Sequence, residues 1–121
     1  MNKEFIDAAK KGHVDKVKLL LNDPKINPAV SNNFPIRYAS RNGHTEVVKL
    51  LLNDPRTDPA ASNNWAIRQA SVNNHPEVVK LLLNDPRTDP ADDNNNAIRW
   101  ASQNGYTEVV KLLNRAIKRD S

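Results

Sequence analysis

Three histidines recur at a spacing of 31 residues, and histidine is the side chain most often used to bind a metal or move a proton near neutral pH. His13, His44 and His75 each lie in a short polar break between two apolar segments, and Tyr106 takes the next place in the series. Metal ligands must converge on one point, whereas one histidine in each copy of a repeat forms a row. We therefore interpret these histidines as structural and expect neither a metal site nor a cofactor.

The other residues of catalytic type also fail to form a set. Ser40, Ser71 and Ser102 share the same spacing and are predicted to lie on a buried helix face, with no base placed to activate a hydroxyl. Asp92 and Asp93 form an acidic pair in a loop, where a solvated surface is expected instead of an acid–base couple. Cysteine is absent, and no glycine-rich phosphate loop occurs. The chain is not expected to be an enzyme.

All of these residues are positioned by an internal repeat. Ile36, Ile67 and Ile98 each begin the phrase Ile-Arg-x-Ala-Ser, and the linker Asn-Asp-Pro-Arg-Thr-Asp-Pro-Ala occurs at both 53–60 and 84–91. A fixed period of this length is typical of units that stack along an axis, each burying an apolar face on its neighbours. Arrays of this kind usually present a surface for binding.

Each copy is predicted to contain two helices separated by a turn and followed by an extended loop. The apolar spacing predicts a short helix over 65–73, and Pro76 suits the first turn of a second, mostly apolar helix. Asn84 is expected to end that helix in the left-handed conformation, because the following Asp-Pro prevents its continuation. The same left-handed role after a first helix is predicted for Gly12, Gly43, Asn74 and Gly105.

Both ends are predicted to be capping units of a single domain. Residues 2–22 hold two helices without a preceding loop, and Asn114 replaces the leucine that recurs as Leu52 and Leu83. Residues 115–120 are predicted to extend the last helix over the final layer. The predicted units are 1–22, 23–53, 54–84 and 85–121.

These motifs resemble the ankyrin repeat family over essentially the whole chain. Residues 43–52, Gly-His-Thr-Glu-Val-Val-Lys-Leu-Leu-Leu, are similar to the family's second-helix signature, and residues 34–40, Phe-Pro-Ile-Arg-Tyr-Ala-Ser, lie where the family has Thr-Pro-Leu-His-x-Ala-Ala. The resemblance implies an all-α helix–turn–helix solenoid of four stacked repeats with short extended loops or hairpins between them, in which the histidines hydrogen-bond neighbouring turns. Short units rich in Asn and Asp resemble ankyrin proteins of amoebae and of their large DNA viruses.

The unit departs from the family pattern in its loop and in its first helix. It is about two residues shorter than the usual 33, so a looser turn is an alternative to the family's hairpin. Arg37, Arg68 and Arg99 replace the family histidine; they either bind an acidic partner or, as we favour, pair with an aspartate or carbonyl of the adjoining loop. The candidate helix caps in place of the family threonine are Asn33, Asn64 and Asn95.

The net charge of +4 makes nucleic acid a weaker candidate partner. Glu46 stands at helix-neighbour spacing from Lys49, and Arg56 is close to Asp58, which predicts local pairing instead of an unopposed basic face. A nucleic-acid site would use the basic N-terminal half: Lys10, Lys11, Lys16, Lys18, Lys25, Arg37 and Arg41.

No segment is apolar enough to span a bilayer, and the charged start is not a secretory signal. We therefore expect a cytoplasmic or other intracellular protein without a membrane partner, and a monomer.

The first helix offers the candidate binding surface. At about 100° per residue, a buried side containing Ile36 and Ala39 leaves the opposite side exposed, and in ankyrin-like proteins that side is the concave recognition surface. Tyr38 and Trp100 either bind there or cover the seam between first helices, and Phe34, Trp65 and Asn96 form a second candidate strip nearer the loops. The expected partner-binding residues are Tyr38, Arg41, Asn42, Gln69, Val72, Asn73, Trp100, Gln103 and Asn104.

The favoured function is therefore a non-catalytic module that binds another protein through a concave surface of rigidly displayed side chains. One alternative is an idealised or duplicated repeat scaffold without a specific ligand, because the linkers 53–60 and 84–91 are identical. The weaker alternative is nucleic-acid binding through the basic N-terminal half.

Overall fold

The computed structural model describes residues 2–120, among which there is no β-strand. Consecutive helices form helix–turn–helix pairs that stack in chain order, which confirms the predicted all-α solenoid architecture. The eight helices are α1 (Asn2–Lys11), α2 (Val14–Leu21), α3 (Val30–Arg41), α4 (Thr45–Leu52), α5 (Ala61–Val72), α6 (Pro76–Leu83), α7 (Asp92–Gln103) and α8 (Thr107–Asp120).

The core lies between two rows of helices. The first helices α1, α3, α5 and α7 contact one another in order, and the second helices α2, α4, α6 and α8 do the same. Phe5, Ile36 and Ile67 occupy equivalent positions of the first row and are fully buried. The second row adds the fully buried Val47, Val48, Leu51, Val78, Val79, Leu82, Val109 and Leu113. Each pair thus buries one apolar layer against the next, which is the main source of stability in a stacked array.

The last helix pair differs from the prediction at one position. Helix α8 continues to Asp120, and Ala116 is buried against the final layer. Ser40 and Ser71 are fully buried, but Ser102 is exposed, so its predicted burial is wrong. The reason is that, within residues 2–120, no further first helix packs against α7.

The turns after the first helices have the predicted backbone. Gly12, Gly43 and Gly105 have φ of +80°, +75° and +70°, and Asn74 has φ of +59°, which is the left-handed region. The prediction for Asn84 is wrong, since it has φ −74° and ψ −14°. The chain leaves this second helix by helix-like turns, because Asp85 N–H donates to the Leu82 carbonyl at 3.1 Å.

A left-handed turn replaces the hairpin between repeats, so the looser turn is the correct alternative. Residues Ser31–Asn33 all have positive φ, between 53° and 62°, and the same conformation recurs at Ser62–Asn64 and Asp93–Asn95. Three successive non-glycine residues in this region are unusual, because each Cβ approaches the next carbonyl oxygen. Asn tolerates the conformation best. The right-handed parts of α3, α5 and α7 begin only after this turn.

A buried hydroxyl in the linker gives a first stability prediction. Thr57 is fully buried, and its Oγ1 has no hydrogen-bond partner among residues 2–120. Ile26, at the equivalent position one repeat earlier, is also fully buried, so the site accepts an apolar side chain. Thr57→Val is expected to raise the free energy of unfolding by about 1 kcal/mol, because an unpaired buried hydroxyl is removed.

Urea denaturation measures this change. The control is Thr107→Val at an exposed position, whose hydroxyl donates only a long bond to the Gly105 carbonyl at 3.4 Å, and it is expected to change stability by less than about 0.5 kcal/mol. A loss of stability in Thr57→Val would show that the hydroxyl has a partner in solution and would overturn the prediction.

Candidate functional site

The surface of the first-helix row that faces away from the second helices is the candidate site, and we call it the first-helix face. It contains the nine predicted partner-binding residues, all on α3, α5 and α7 or at their C-terminal ends. Tyr38, Gln69 and Val72 are half-buried. The exposed members are Arg41, Asn42, Asn73, Trp100, Gln103 and Asn104. The structure therefore leaves most of the predicted set open to solvent.

The three asparagines of the set have a structural task. Asn42 Nδ2 donates to the Lys10 carbonyl of α1 at 3.0 Å. Asn73 Nδ2 donates to the Gln69 carbonyl at 2.9 Å, and Asn104 Nδ2 donates to the carbonyl four residues before it at 2.8 Å. The Gln69 and Trp100 carbonyls also accept from the backbone N–H of the same asparagines, and the Lys10 carbonyl also accepts from His44 Nε2, so the amides add second bonds at helix C-terminal ends. The amides fix the edge of the face and leave their Oδ1 atoms for other contacts.

Three aromatic rings form a cluster at the N-terminal half of the face. Phe34 and Tyr38 stack with ring centroids 4.0 Å apart, and Tyr38 lies 5.1 Å from the Trp65 ring. Tyr38 therefore covers the seam between α3 and α5, in agreement with one of the two interpretations. Within residues 2–120 Trp100 has no ring neighbour of this kind, and it is 45% exposed. Phe34 and Trp65 thus belong to the same cluster as Tyr38 and not to a separate strip; Phe34 precedes Tyr38 by the four residues that bring side chains together on a helix.

Cations surround this cluster. The guanidinium carbon of Arg37 lies 5.2 Å from the Trp65 ring centroid, and that of Arg41 lies 5.9 Å from the Tyr38 ring. Lys10 Nζ of the neighbouring helix lies 5.7 Å from the same ring. Cations over aromatic faces attract the ring quadrupole. The cations also cover part of the ring surfaces, so this part of the face presents positive charges next to aromatic rings.

The arginine column caps the left-handed turns, as the favoured interpretation predicted. Arg37 Nε donates to the Asn32 carbonyl at 3.0 Å, and Arg68 Nε donates to the Asn63 carbonyl at 3.0 Å. Arg99 Nη1 makes the corresponding bond to the carbonyl five residues earlier, at 3.3 Å. Arg68 Nη1 also lies 3.7 Å from a carboxylate oxygen of the next loop, that of Asp93. These guanidinium groups hold the loops and are only partly available to a partner.

The asparagines predicted to cap the first helix act instead between repeats, so that prediction is wrong. Asn33 Oδ1 accepts from the Asp58 N–H at 2.8 Å, and Asn64 Oδ1 accepts from the Asp89 N–H at 2.8 Å. Their left-handed backbone points the side chains towards the following loop. Asn95 has the same backbone, φ 61°, but is exposed and has no following loop to bind within residues 2–120.

Charge pairing in the loops differs from the expected pattern. Arg56 Nη2 lies 2.9 Å from Asp54 Oδ2, so its partner precedes it in the chain and is not the expected Asp58. The reason is that Asp54 Oδ1 already accepts from the Arg56 N–H at 3.0 Å in a tight turn. On the second helices, Glu46 and Lys49 are exposed and form no ion pair in the described part of the chain, because solvation competes with exposed pairs.

These loop pairs predict how stability depends on pH. The hydrogen bond from Arg56 holds the pKa of Asp54 below its usual value, and that from Arg87 does the same for the pKa of Asp85. When the folded-state pKa of a carboxyl is lowered, the ionised carboxylate stabilises the fold at pH values above the unfolded-state pKa, near 3.8. This stabilisation is lost as the pH falls through the folded-state pKa. Because the pairs are partly exposed, we expect them to stabilise the fold only modestly at pH 7.

The double variant Asp54→Asn, Asp85→Asn tests this contribution, because it removes the charges while keeping an oxygen that accepts the backbone N–H. Urea denaturation is measured at pH 7, 5 and 3. The variant is expected to be less stable than the parent at pH 7 and to lose less stability on acidification. An unchanged difference between the two chains at all three pH values would contradict the assignment.

The histidines lie in the turns between helices, as expected. His44 Nε2 donates to the Lys10 carbonyl at 2.9 Å, and the His44 ring lies against Gly12, where an added Cβ would come within 2.5 Å of Nδ1. The His75 ring lies against Gly43 in the same way. Within residues 2–120 the histidines and acidic residues gather into no group suited to a metal ion. The histidine column joins neighbouring turns.

Comparison with known proteins agrees with this architecture. No curated protein matches the sequence. A family model described as ankyrin repeats (3 copies) matches residues 5–63 and 60–120, which together take in almost all of the described residues. None of the helices in residues 2–120 is long and apolar enough to cross a membrane. The repeat period, the stacked helix pairs and this match together show that the chain belongs to the ankyrin repeat family.

Proposed function

We propose that this chain is a non-catalytic module that binds another protein through the first-helix face. Ankyrin repeats are generally protein–protein interaction modules, and the family is typically non-enzymatic. The observation that carries the proposal is the composition of the exposed face: Trp100 and Arg41 are open to solvent beside amides and the Tyr38 cluster. Trp, Tyr and Arg are the residues most enriched at binding hot spots.

The backbone under this face supports tight binding. Hydrogen bonds from Asn42 and His44 tie α3 to the carbonyl end of α1, and Asn33 ties one loop to the next. Side chains held on such a frame lose little conformational freedom on binding, so less of the interaction energy is spent on ordering. The proposed mechanism is recognition by a preformed surface in a monomeric, intracellular protein.

The placement of the cations favours a protein over a nucleic acid. Lys11 lies 3.1 Å from the Asp7 carboxylate, Lys16 and Lys18 lie on α2, and Lys25 lies in a loop. Of the seven basic residues of this candidate nucleic-acid site, Lys10, Arg37 and Arg41 adjoin the first-helix face. A phosphate backbone requires a row of unopposed cations on one surface, and this distribution does not supply one.

The experiment is affinity capture from cell lysate with the intact chain and the variant Arg41→Ser, Trp100→Ser, Gln103→Ser. These three side chains are exposed, so their loss is expected to leave thermal unfolding unchanged. The matched control is Lys49→Ser, Lys80→Ser, Lys111→Ser on the exposed surface of the second helices. We expect a protein that is retained by the intact chain and by the control but not by the first variant.

Retention by both variants would place the binding surface elsewhere and overturn the first-helix assignment. If no protein is retained by any of the three chains, the ligand-free scaffold becomes the better account. A nucleic acid recovered from all three chains and released by moderate salt would favour the basic N-terminal half instead.

A further inference from the structure

We infer that the first-helix face binds an extended peptide with carboxylates at one end and apolar side chains at the other. The acidic end lies over α1 and α3, and the apolar end lies over α5 and α7. This inference rests on the proposed function and adds the chemistry and the direction of the partner. It follows from the unequal distribution of charge and ring exposure along the face.

The cationic half is built from two equivalent positions. Lys10 and Arg41 are 31 residues apart in the repeat, both are exposed, and both lie within 6 Å of the Tyr38 ring centroid, at 5.7 and 5.9 Å. Neither forms an ion pair within the part of the chain that the structure describes. Asp7, three residues before Lys10 on α1, is bound by Lys11 at 3.1 Å. Two positive charges without an ion-pair partner among the described residues therefore stand beside one aromatic ring.

The surroundings strengthen the attraction of these cations for carboxylates. The Tyr38 ring lies beside both cations, and charges interact more strongly where an apolar surface displaces water. Lys10 also lines a groove beside Phe34 together with Lys3, Glu4 and Asp7, and the two acids there are balanced by Lys3 and by Lys11, which binds Asp7. All of the net charge of +4 falls within residues 1–53, which hold α1 to α4.

The other half of the face carries no charge at the same positions. Val72 and Gln103 stand where α1 and α3 have Lys10 and Arg41, and Gln69 stands at the position of Tyr38. Trp100, the next in that series, is 45% exposed. Among the described residues, Leu19 is the other exposed large apolar side chain, and it lies on α2 in the second row. An exposed indole on α7, the helix packed against the one that carries half-buried Val72, fits an apolar side chain of a partner.

The spacing of the helices gives the length of the partner. Packed helices lie about 8–10 Å apart, so the distance from α1 to α7 is about 25–30 Å. An extended chain covers about 3.3 Å per residue. A segment of about eight or nine residues therefore reaches from Lys10 to Trp100, with its acidic and apolar ends separated by a few residues over α5.

The test uses a displayed library of random 12-residue peptides, selected on the intact chain. Enriched peptides are expected to contain an acidic block and an apolar block a few residues apart. Their affinity, measured by fluorescence anisotropy of the labelled synthetic peptides, is expected to fall at least tenfold in Lys10→Glu, Arg41→Glu. It is expected to fall several-fold between 50 and 300 mM salt, and Trp100→Ser is expected to weaken it by a similar factor through the apolar block.

The control is Lys49→Glu, Lys80→Glu, which makes the same charge change on exposed second-helix positions and is expected to change affinity less than twofold. Enrichment of peptides without an acidic block would overturn the inference and leave the proposed function intact. The same holds for peptides whose affinity is unchanged in Lys10→Glu, Arg41→Glu but weakened by Trp100→Ser. No enrichment over the support would also overturn it, since lysate capture tests the proposed function separately. Tighter binding of a 20-nucleotide single strand through the same cations would assign the surface to nucleic acid and overturn it as well.

Discussion

Replacing Asn64 with alanine is expected to lower the free energy of unfolding by about 3 kcal/mol and the melting temperature by roughly 10 °C. Asn64 is only 5% exposed and has φ +58°. Its Oδ1 accepts from the Asp89 N–H at 2.8 Å, and its Nδ2 donates to Asp92 Oδ2 at 2.7 Å. Alanine is less tolerant of the left-handed region and leaves the Asp89 N–H without its partner.

Asn95 supplies the matched control for this substitution. It has the same backbone, φ +61°, but its side chain is exposed and makes no hydrogen bond to the rest of the described chain. Asn95→Ala is therefore expected to cost only about 1 kcal/mol, the conformational part of the effect. Urea denaturation of the two variants separates the contributions. Equal losses would show that the hydrogen bonds of Asn64 contribute nothing to the joint between repeats.

Asn64→Gly also separates the backbone effect from the hydrogen-bond effect, because glycine adopts positive φ without strain but cannot make either side-chain hydrogen bond. Its expected cost is about 2 kcal/mol, from the unpaired N–H and the added chain entropy. A stability equal to that of the parent would place the whole effect in the backbone and contradict the proposed role of the amide.

The helices were predictable from the sequence because the repeat displays their buried positions several times. Ile36 and Ile67 recur with the same neighbours and are both fully buried, and Pro76 begins α6 as predicted. Burial in a stacked array depends on nearest neighbours, so a pattern repeated in the chain repeats in space. The burial of Ser102 was predicted wrongly for the same reason, since its position is the last of the series and has no following helix in the described chain.

The left-handed turns were harder to predict because local preference for that conformation is weak. Ser31, Asn32 and Asn33 are residue types that tolerate positive φ or form turns, and each of the three units after the first has such a triplet. Three successive residues in this region are nevertheless rare enough that single-residue preferences do not predict them. The sequence holds one further indication of the turn. An arginine follows the middle residue of each turn by five positions, and Arg37 donates to the carbonyl of that middle residue, Asn32.

The candidate face was predictable in its position but not in its internal contacts. The helical period gave Arg41 and Trp100 as outward-facing, and both are exposed. The stacking of Phe34 on Tyr38, and the approach of Trp65 from the next helix, depend on rotamers and on the distance between α3 and α5. A sequence gives neither of these. Which of the nine residues contact a partner remains a prediction for the capture experiment.

Replacing Gly43 with alanine is expected to lower the free energy of unfolding by about 3 kcal/mol, because the added Cβ is strained by the positive φ and also clashes with a neighbouring ring. Gly43 has φ +75°, and an added Cβ would lie 2.6 Å from His75 Nδ1, well inside van der Waals contact. The same Cβ would lie 3.0 Å from His75 Cγ, the ring atom attached to the His75 Cβ, so rotating the ring about that bond alone does not relieve the clash. Differential scanning calorimetry is expected to show a melting temperature lowered by roughly 10 °C.

Gly105 isolates the conformational penalty, since it has φ +70° but nothing within 4 Å of an added Cβ. Gly105→Ala is therefore expected to cost about 1 kcal/mol. The remaining part of the Gly43→Ala effect belongs to the contact with His75, and a double-mutant cycle with His75→Ala measures it directly. In the His75→Ala background, Gly43→Ala is expected to cost no more than Gly105→Ala does in the parent. A cost that stays near 3 kcal/mol in that background would show that His75 does not pack on this turn, and the histidine column would then not join one repeat to the next.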